Sequence, residues 1–541
     1  MLHRKIISTL LSAALILSLC SCHSEKTASS SKSRRTSTEE TTTTEETTSS
    51  EEKTESSSET ESSDESSSLE TTSSETEDTT AASSSASGEA TLEDQIKNLE
   101  RVRSCEKSAI IQTGAPNQIA DKYTVIFDMP LDWKEPAKGS FPLRTTFIFV
   151  DEKATNTFLC DGYNLYEMEF SAFDSRRDLS WFYNTNQVQM EHRFFGGSVP
   201  DGLSIDSLDY WEYLTAENAA EDFHFIITQF KKILHGKSMF TGASKGGQLT
   251  HMQSYFHPED ADVFVSFVAP GGSDQDAPGF FDYIYTEIGD TAYGKDQAKK
   301  YRDLVLEFQV EAIKHRDVLA PKYYQKGIED GCVFTDFVTP DILFDMAVLE
   351  FATTTWQYFP DFKLIRNILD QKDSGGSEYL DLLLQLIYDT NPANVWAHNS
   401  EYFAYYVQAA KQNGEHEYDF SFLRAALEKD GSGAKLVVTE DMEKGLLFRM
   451  VFTPEQYQAF TFDPTLYNNM VKWSHETKST VVMVYGAADV WYSVRLPDVT
   501  DNENIHIYTL PEASHVASFE RMPKEMADEV SALLDPILKW E

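Results

Sequence analysis

The apolar positions of this chain keep two rhythms. Tyr123–Trp133 (YTVIFDMPLDW) and Leu143–Val150 (LRTTFIFV) alternate apolar and polar side chains and predict strands, with Pro-Ala-Lys-Gly-Ser between them as a hairpin-like turn. Thr157–Leu165 is a further β-rich run, and Gln187–Met190 precedes the compact sequence Glu191-His192-Arg193-Phe194-Phe195-Gly196-Gly197-Ser198. Asp262–Ala269 (DVFVSFVA) and Ser479–Tyr485 (STVVMVY) are nearly continuous apolar runs, the pattern of strands buried on both faces of a parallel sheet. Asn504–Tyr508 predicts one more strand. Helical spacing governs Leu92–Val102, Asp206–Ile227, Leu249–Phe256 and the closing Lys524–Leu538.

Between Pro278 and Lys472 the strand rhythm gives way to helical patterns: Asp296–Ile313, Pro340–Thr354, Ser377–Tyr388 and Glu401–Gln412, with many aromatic residues among them. Strands mixed with helices, then a helical block, then strands again predict the α/β class. The division expected is a core in two parts, 91–277 and 473–541, around an inserted helical cap, 278–472.

The first ninety residues have neither rhythm. Arg4 and Lys5 precede an apolar run, Ile6–Leu19, too short for a comfortable membrane span and flanked like a signal peptide. Leu19-Cys20-Ser21-Cys22 resembles a bacterial lipobox, with small Ser21 at the cleavage edge, so 1–22 is expected to be a lipoprotein-type signal segment and Cys22 the lipidated residue. The bland alternative is a plain secretory signal. Residues 23–90 are almost entirely Ser, Thr and Glu, with 17 acidic and 5 basic side chains between 24 and 90. Too little apolar surface is present there to offset the entropy of ordering, so the segment predicts a disordered, self-repelling stalk. The chain would then be exported and lipid-anchored at the outer face of a bacterial membrane.

Charge and cysteine content narrow the chemistry further. The formal charge of −42 argues against nucleic acid as a partner and an anionic membrane as a docking surface, apart from the lipid anchor. Cys105, Cys160 and Cys332 have no close spacing, which predicts no metal site and leaves room for at most one bridge. No cofactor motif is present.

One stretch carries chemistry. Lys237–Thr250 (KSMFTGASKGGQLT) reads as a short strand, then Gly-x-Ser-x-Gly, then a helix start. This is the nucleophile elbow of α/β-hydrolases, whose serine sits on a strained turn at the top of the sheet. A chance loop is the bland reading of so short a pattern, and the flanking strand and helix argue against it. A serine hydroxyl needs a base, itself held by an acid, and in this fold the chain order is Ser, Asp, His. Asp489 follows the late buried strand and His515 follows the next one. The candidate catalytic set is therefore Ser244, Asp489 and His515, with the Lys245 backbone N–H as an oxyanion donor. The Lys245 side chain is expected to be solvated or salt-bridged. His192, the main rival base, precedes the elbow and lies in a cluster that reads as structural or substrate-binding.

Glu191-His192-Arg193-Phe194-Phe195-Gly196, Thr241-Gly242-Ala243-Ser244-Lys245-Gly246-Gly247, Val268-Ala269-Pro270, Glu350 with Trp356-Gln357-Tyr358, Gly486 with Asp489 and Trp491, and a late Ser-His together carry a family resemblance. From about Asn117 to His515 the chain resembles the secreted bacterial tripeptidyl aminopeptidase family of serine peptidases (PS-10, serine peptidase family 37), relatives of the prolyl carboxypeptidase and dipeptidyl peptidase group. Ala243 stands where relatives often have Gly, and the anchor and stalk are additions. The resemblance implies an α/β-hydrolase core with a helical cap, releasing short peptides from the N-termini of oligopeptides.

An aminopeptidase must also hold a charged α-amino group, which calls for a carboxylate at a fixed distance from the nucleophile. Glu350 on a cap helix is the first candidate and Glu191 the second, with Arg193 and Trp356 as further substrate-binding candidates. Their bland readings are a structural ion pair, Glu191 with nearby Arg193, and cap core. Two other functions compete: an esterase or lipase on the same core, and a non-enzymatic surface-anchored binding protein that keeps the fold.

Overall fold

The computed structural model of the protein describes residues 90–112, 119–358, 360–373 and 376–540. The expected signal segment with Cys22, and all of the expected stalk except Ala90, lie outside the described residues.

Nine strands, β1 (Val102–Gln112), β2 (Ile119–Pro130), β3 (Ser140–Phe149), β4 (Asn156–Leu159), β5 (Asn186–Met190), β6 (Ser238–Ala243), β7 (Val263–Phe267), β8 (Val481–Gly486) and β9 (Ile505–Leu510), make one sheet. Its order is β1-β2-β3-β5-β4-β6-β7-β8-β9. The pairings from β1 through β3 to β5 are antiparallel, and those from β5 through β4 and β6 to β9 are parallel.

The continuous apolar runs have the cause expected of them. Along β8, Val481, Met483 and Tyr485 enter one core with Leu249 and Met252 of the helix after β6. The intervening Val482 and Val484 enter a second core with Leu534 and Leu538 of the closing helix Lys524–Leu538. Successive side chains point to opposite faces, so a strand covered on both faces is apolar at every position. This mostly parallel sheet with helices on both faces is an α/β-hydrolase core.

Between β7 and β8 the chain is helical. Pro340–Gln357 packs against Lys295–Lys314, Arg316–Glu329 and Gly376–Thr390. It is buried on nearly every side, from Ile342 to Trp356, as a helix apolar all round must be. Thr339 caps it, its hydroxyl accepting from the Ile342 N–H at 3.2 Å, with Pro340 in the first turn.

Two local readings change. The lead-in helix ends at Lys97, and Val102 already begins β1. β1 is an edge strand that, among its described side chains, buries only Cys105 and Ile111, so it shows no alternation. The helix expected over Asp206–Ile227 starts later, at Ala216, where the Thr215 hydroxyl accepts from the Asn218 N–H. Arg316–Glu329 is helical despite Pro321 within it. Cys105, Cys160 and Cys332 are buried free thiols. Among the described residues no helix is long and apolar enough to cross a membrane.

Candidate active site

Ala243, Phe267, Val484 and Tyr508 form one row across β6, β7, β8 and β9. Ser244 is the next residue on its strand, Asp489 and His515 follow a few residues beyond the ends of theirs, and all three leave the sheet at its carboxyl edge. Open α/β sheets hold their sites there.

At Ser244 the chain turns from β6 into the helix Lys245–Phe256 with φ 57° and ψ −123°, a conformation costly for a residue with a Cβ. The Ser244 N–H donates to the Phe267 carbonyl at 2.9 Å, and the Gln248 N–H donates to the Ser244 carbonyl at 3.0 Å. A Cβ on Gly246 would lie 2.4 Å from the Cys160 carbonyl oxygen, so only glycine lets the loop leaving β4 press against this turn. The Lys245 amide opens the helix, where the first N–H groups have no carbonyl four residues back.

Asp489 and His515 meet. His515 Nδ1 is 2.9 Å from Asp489 Oδ2, and Asp489 Oδ1 accepts from the Trp491 N–H at 3.1 Å. A carboxylate only accepts, so Nδ1 carries the proton and the lone pair sits on Nε2. That nitrogen is buried without a hydrogen-bond partner, so no Ser244–His515 bond is formed. In unliganded sites this contact is commonly long. The result is an oriented imidazole with an unused acceptor, at the same edge of the sheet as the half-buried Ser244. Gly486 permits it, because a Cβ there would meet the carbonyls of Ala513 and Ser514 at 2.4 Å.

The cap reaches this point. Tyr358, at the end of the helix Pro340–Gln357, stands edge-on to the His515 ring at 5.8 Å, and Trp491 flanks that ring at 6.4 Å. Glu350, on the same helix, is 9 % exposed. Burial, with the charge of Glu415 beside it, pushes its carboxyl up to about 8. Glu415 and His416, which stand against it, belong to a loop whose sequence has no motif or periodicity to mark them.

Other candidates go elsewhere. Glu191 pairs with Arg144, not Arg193, because the Glu191 N–H donates to the Arg144 carbonyl across the β3–β5 pairing. It also accepts from the Leu165 N–H at 2.7 Å and the Ser198 hydroxyl at 2.6 Å, leaving no capacity for a substrate amine. Arg193 is fully buried, with a bidentate bond to Asp222 at 2.7 and 2.9 Å and further bonds to the carbonyls of Pro130, Leu131 and Tyr213. Both are internal braces rather than substrate contacts. Trp356 is 1 % exposed and packs on Tyr293 and Phe362 inside the cap. His192 is fully buried, its Nδ1 bonded to the Arg193 carbonyl, and burial holds it neutral well below the usual range. The Lys245 side chain is not solvated. Its amine donates to the Gly162 carbonyl and lies over the rings of Phe195 at 4.2 Å and Tyr163 at 4.9 Å. Burial pulls it well below the ordinary lysine range.

A family model of PS-10 peptidase S37 matches residues 100–540. The chain belongs to that family. It is a serine peptidase on an α/β-hydrolase fold. Among curated relatives of the S37 member, a prolyl tri/tetrapeptidyl aminopeptidase of Streptomyces mobaraensis is 24% identical over 470 residues, 85% of this chain and 87% of that one. Solved structures with a likeness include the peroxisomal alpha-beta-hydrolase Lpx1 of Saccharomyces cerevisiae, 10% identical with a TM-score of 0.32 over 78% of this chain and 90% of that one. The esterase LipA of Xanthomonas oryzae is 9% identical with a TM-score of 0.33, over 81% and 98%.

Proposed function

We propose that this S37 protein is a cell-surface exopeptidase that releases dipeptides or tripeptides from the N-termini of oligopeptides through an acyl-enzyme on Ser244. His515 takes the serine proton at Nε2 and returns it to the leaving amine, and Asp489 holds the imidazole in the tautomer that can do so. The Lys245 N–H binds the oxyanion. The loop that leaves β4 at Cys160 and touches Gly246 supplies the second donor, as the corresponding loop does in this fold. The observation that carries the reading is the His515 Nδ1–Asp489 bond with Nε2 left unused, at the carboxyl edge of the sheet where the strained Ser244 also lies.

Glu350 anchors the substrate's α-amino group. In support, it is a buried cap carboxylate with no lysine or arginine partner among the described ion pairs. Trp491 touches both the His416 ring, which neighbours Glu350, at 5.3 Å and the His515 ring at 6.4 Å. An extended chain crosses such a span in about three residues at most. The S. mobaraensis relative, a prolyl tri/tetrapeptidyl aminopeptidase, agrees in kind. Cys22 is proposed as the lipid attachment point that keeps the enzyme at the outer face of a bacterial membrane.

A fluorophosphonate probe tests the nucleophile. Labelling of the wild type that disappears in Ser244→Ala is expected; equal labelling of both would defeat the assignment.

A further inference from the structure

Beneath the cap helix Pro340–Gln357 lies a cluster of buried acceptors that no lysine or arginine reaches among the described ion pairs. The segment after Asn413 is held by a short backbone ladder: the Ala277 N–H donates to the Glu415 carbonyl at 2.8 Å, Glu415 N–H to Asp274 at 3.0 Å, and Glu417 N–H to Ala277 at 3.0 Å. The ladder fixes Glu415 and His416 opposite Glu350. His416 stacks flat on Phe280, centroids 3.9 Å apart and 3° from parallel, so its ring plane is set as well.

The His416 tautomer follows from its neighbours. Nδ1 is 2.8 Å from the Glu417 carbonyl, which can only accept, so Nδ1 bears the hydrogen and Nε2 presents a lone pair. That lone pair is 3.8 Å from Glu350 Oε1 and 3.7 Å from Glu415 Oε1. Glu350 Oε1 is buried with no hydrogen-bond partner. The Tyr405 hydroxyl satisfies the far oxygen of Glu415 at 2.6 Å, and the His416 N–H reaches Oε1 at 3.1 Å. The other ionisable groups acting on the pair include Tyr163, Tyr285, Tyr406, Tyr418 and Asp276, none of them a cation. Burial pushes Glu350 up to about 8 and Glu415 up to about 7, and holds His416 down at about 4, hence neutral.

Buried carboxylates are normally paired or neutralised. Here three acceptor atoms converge and no resident cation answers them. We propose that Glu415 and His416 join Glu350 as a receptor for a primary α-ammonium group, one acceptor for each of its three N–H donors. The proposal rests on the exopeptidase reading and adds to it two residues and a chemical preference: chains with a primary amine at the N-terminus over N-methylated, deaminated or acylated ones. A tetrahedral ammonium bonded at about 2.8 Å sets its acceptors about 4.6 Å apart, so seating it moves His416 Nε2 and each glutamate oxygen apart by a little under 1 Å. Out of water, charge-assisted bonds of this kind discriminate most strongly.

The test uses the full chain and one tripeptide chromogenic amide in four forms: free amine, N-methyl, desamino and N-acetyl. In the wild type, the free amine should lead the desamino form in kcat/KM, with the N-methyl form between them. In Glu415→Gln and in His416→Phe, which keeps the stack on Phe280, the free-to-desamino ratio should fall about tenfold to a hundredfold, chiefly through KM. Glu415→Asp, which retains the charge, should recover part of it. Because each ratio compares two substrates on one protein, partial unfolding cancels. A wild-type ratio near one, with hydrolysis intact, would sink the exopeptidase reading. A ratio that collapses in Glu350→Gln and persists in Glu415→Gln and His416→Phe would overturn this inference alone, and so would a Glu415→Asp ratio no better than that of Glu415→Gln.

Discussion

Glu350→Gln should make the folded protein more stable at alkaline pH while weakening its hold on free peptide N-termini. An ordinary glutamate carboxyl titrates near 4.5, and in the fold Glu350 titrates at about 8, raised by burial and by Glu415. Between those two values the native protein binds more protons than the unfolded chain, so stability falls as pH rises through the window. At about 1.4 kcal/mol per pKa unit the upper figure is about 4 to 5 kcal/mol. Glutamine removes that dependence and presents an N–H2 to Glu415 Oε1 and His416 Nε2, the place a proton or an amine would otherwise take. With about 2 cal/mol/K of unfolding entropy per residue, a body of this size moves about 1 °C per kcal/mol. Calorimetry of the substrate-free protein should therefore show the two forms melting together near pH 5 and the variant melting about 4 °C higher near pH 9. A variant that melts lower than the wild type by the same margin at both pH values would refute the reasoning, because Glu350 would then be a structural acceptor rather than an unmet charge.

Three further outcomes follow from the geometry. Asp489→Asn leaves the shape of the site and loses the acceptor that fixes the His515 tautomer, so kcat should fall by about 10³- to 10⁴-fold, measured on a chromogenic tripeptide. Gly246→Ala puts a Cβ 2.4 Å from the Cys160 carbonyl and should cost about 1 to 3 kcal/mol in a denaturant melt and reduce labelling of Ser244, since turn and β4 loop must part. Cys22→Ala should move the protein from the membrane fraction to the medium and abolish incorporation of a labelled fatty acid; retention in the membrane fraction would remove the anchor from the account.

Legibility in the sequence followed burial. β6, β7 and β8 are plain because both faces of these strands are covered, and the Ser, Asp, His order is plain because Ser244 directly follows one such strand, Asp489 lies three residues beyond another and His515 five beyond β9. β1 was missed because an edge strand with two buried residues carries no alternation. The charged cluster at Glu191 was misread because proximity in sequence is a poor guide to pairing near a strand end. Arg144 lies across the β3–β5 pairing from Glu191, and Arg193 turns instead toward Asp222 on the helix Ala216–Phe230. Glu415 and His416 were invisible for a related reason. They follow a π-helical turn, Ala409–Asn413, and acquire meaning only from the helix folded over them.

The central claim is that Ser244 cuts short peptides from a free N-terminus. An unlabelled decapeptide and its N-acetyl twin, incubated with the full chain and followed by mass spectrometry, test it most directly. The account predicts dipeptides or tripeptides released stepwise from the free peptide, an intact acetylated peptide, and no products with Ser244→Ala. Internal fragments, or equal loss of the acetylated peptide, would contradict it.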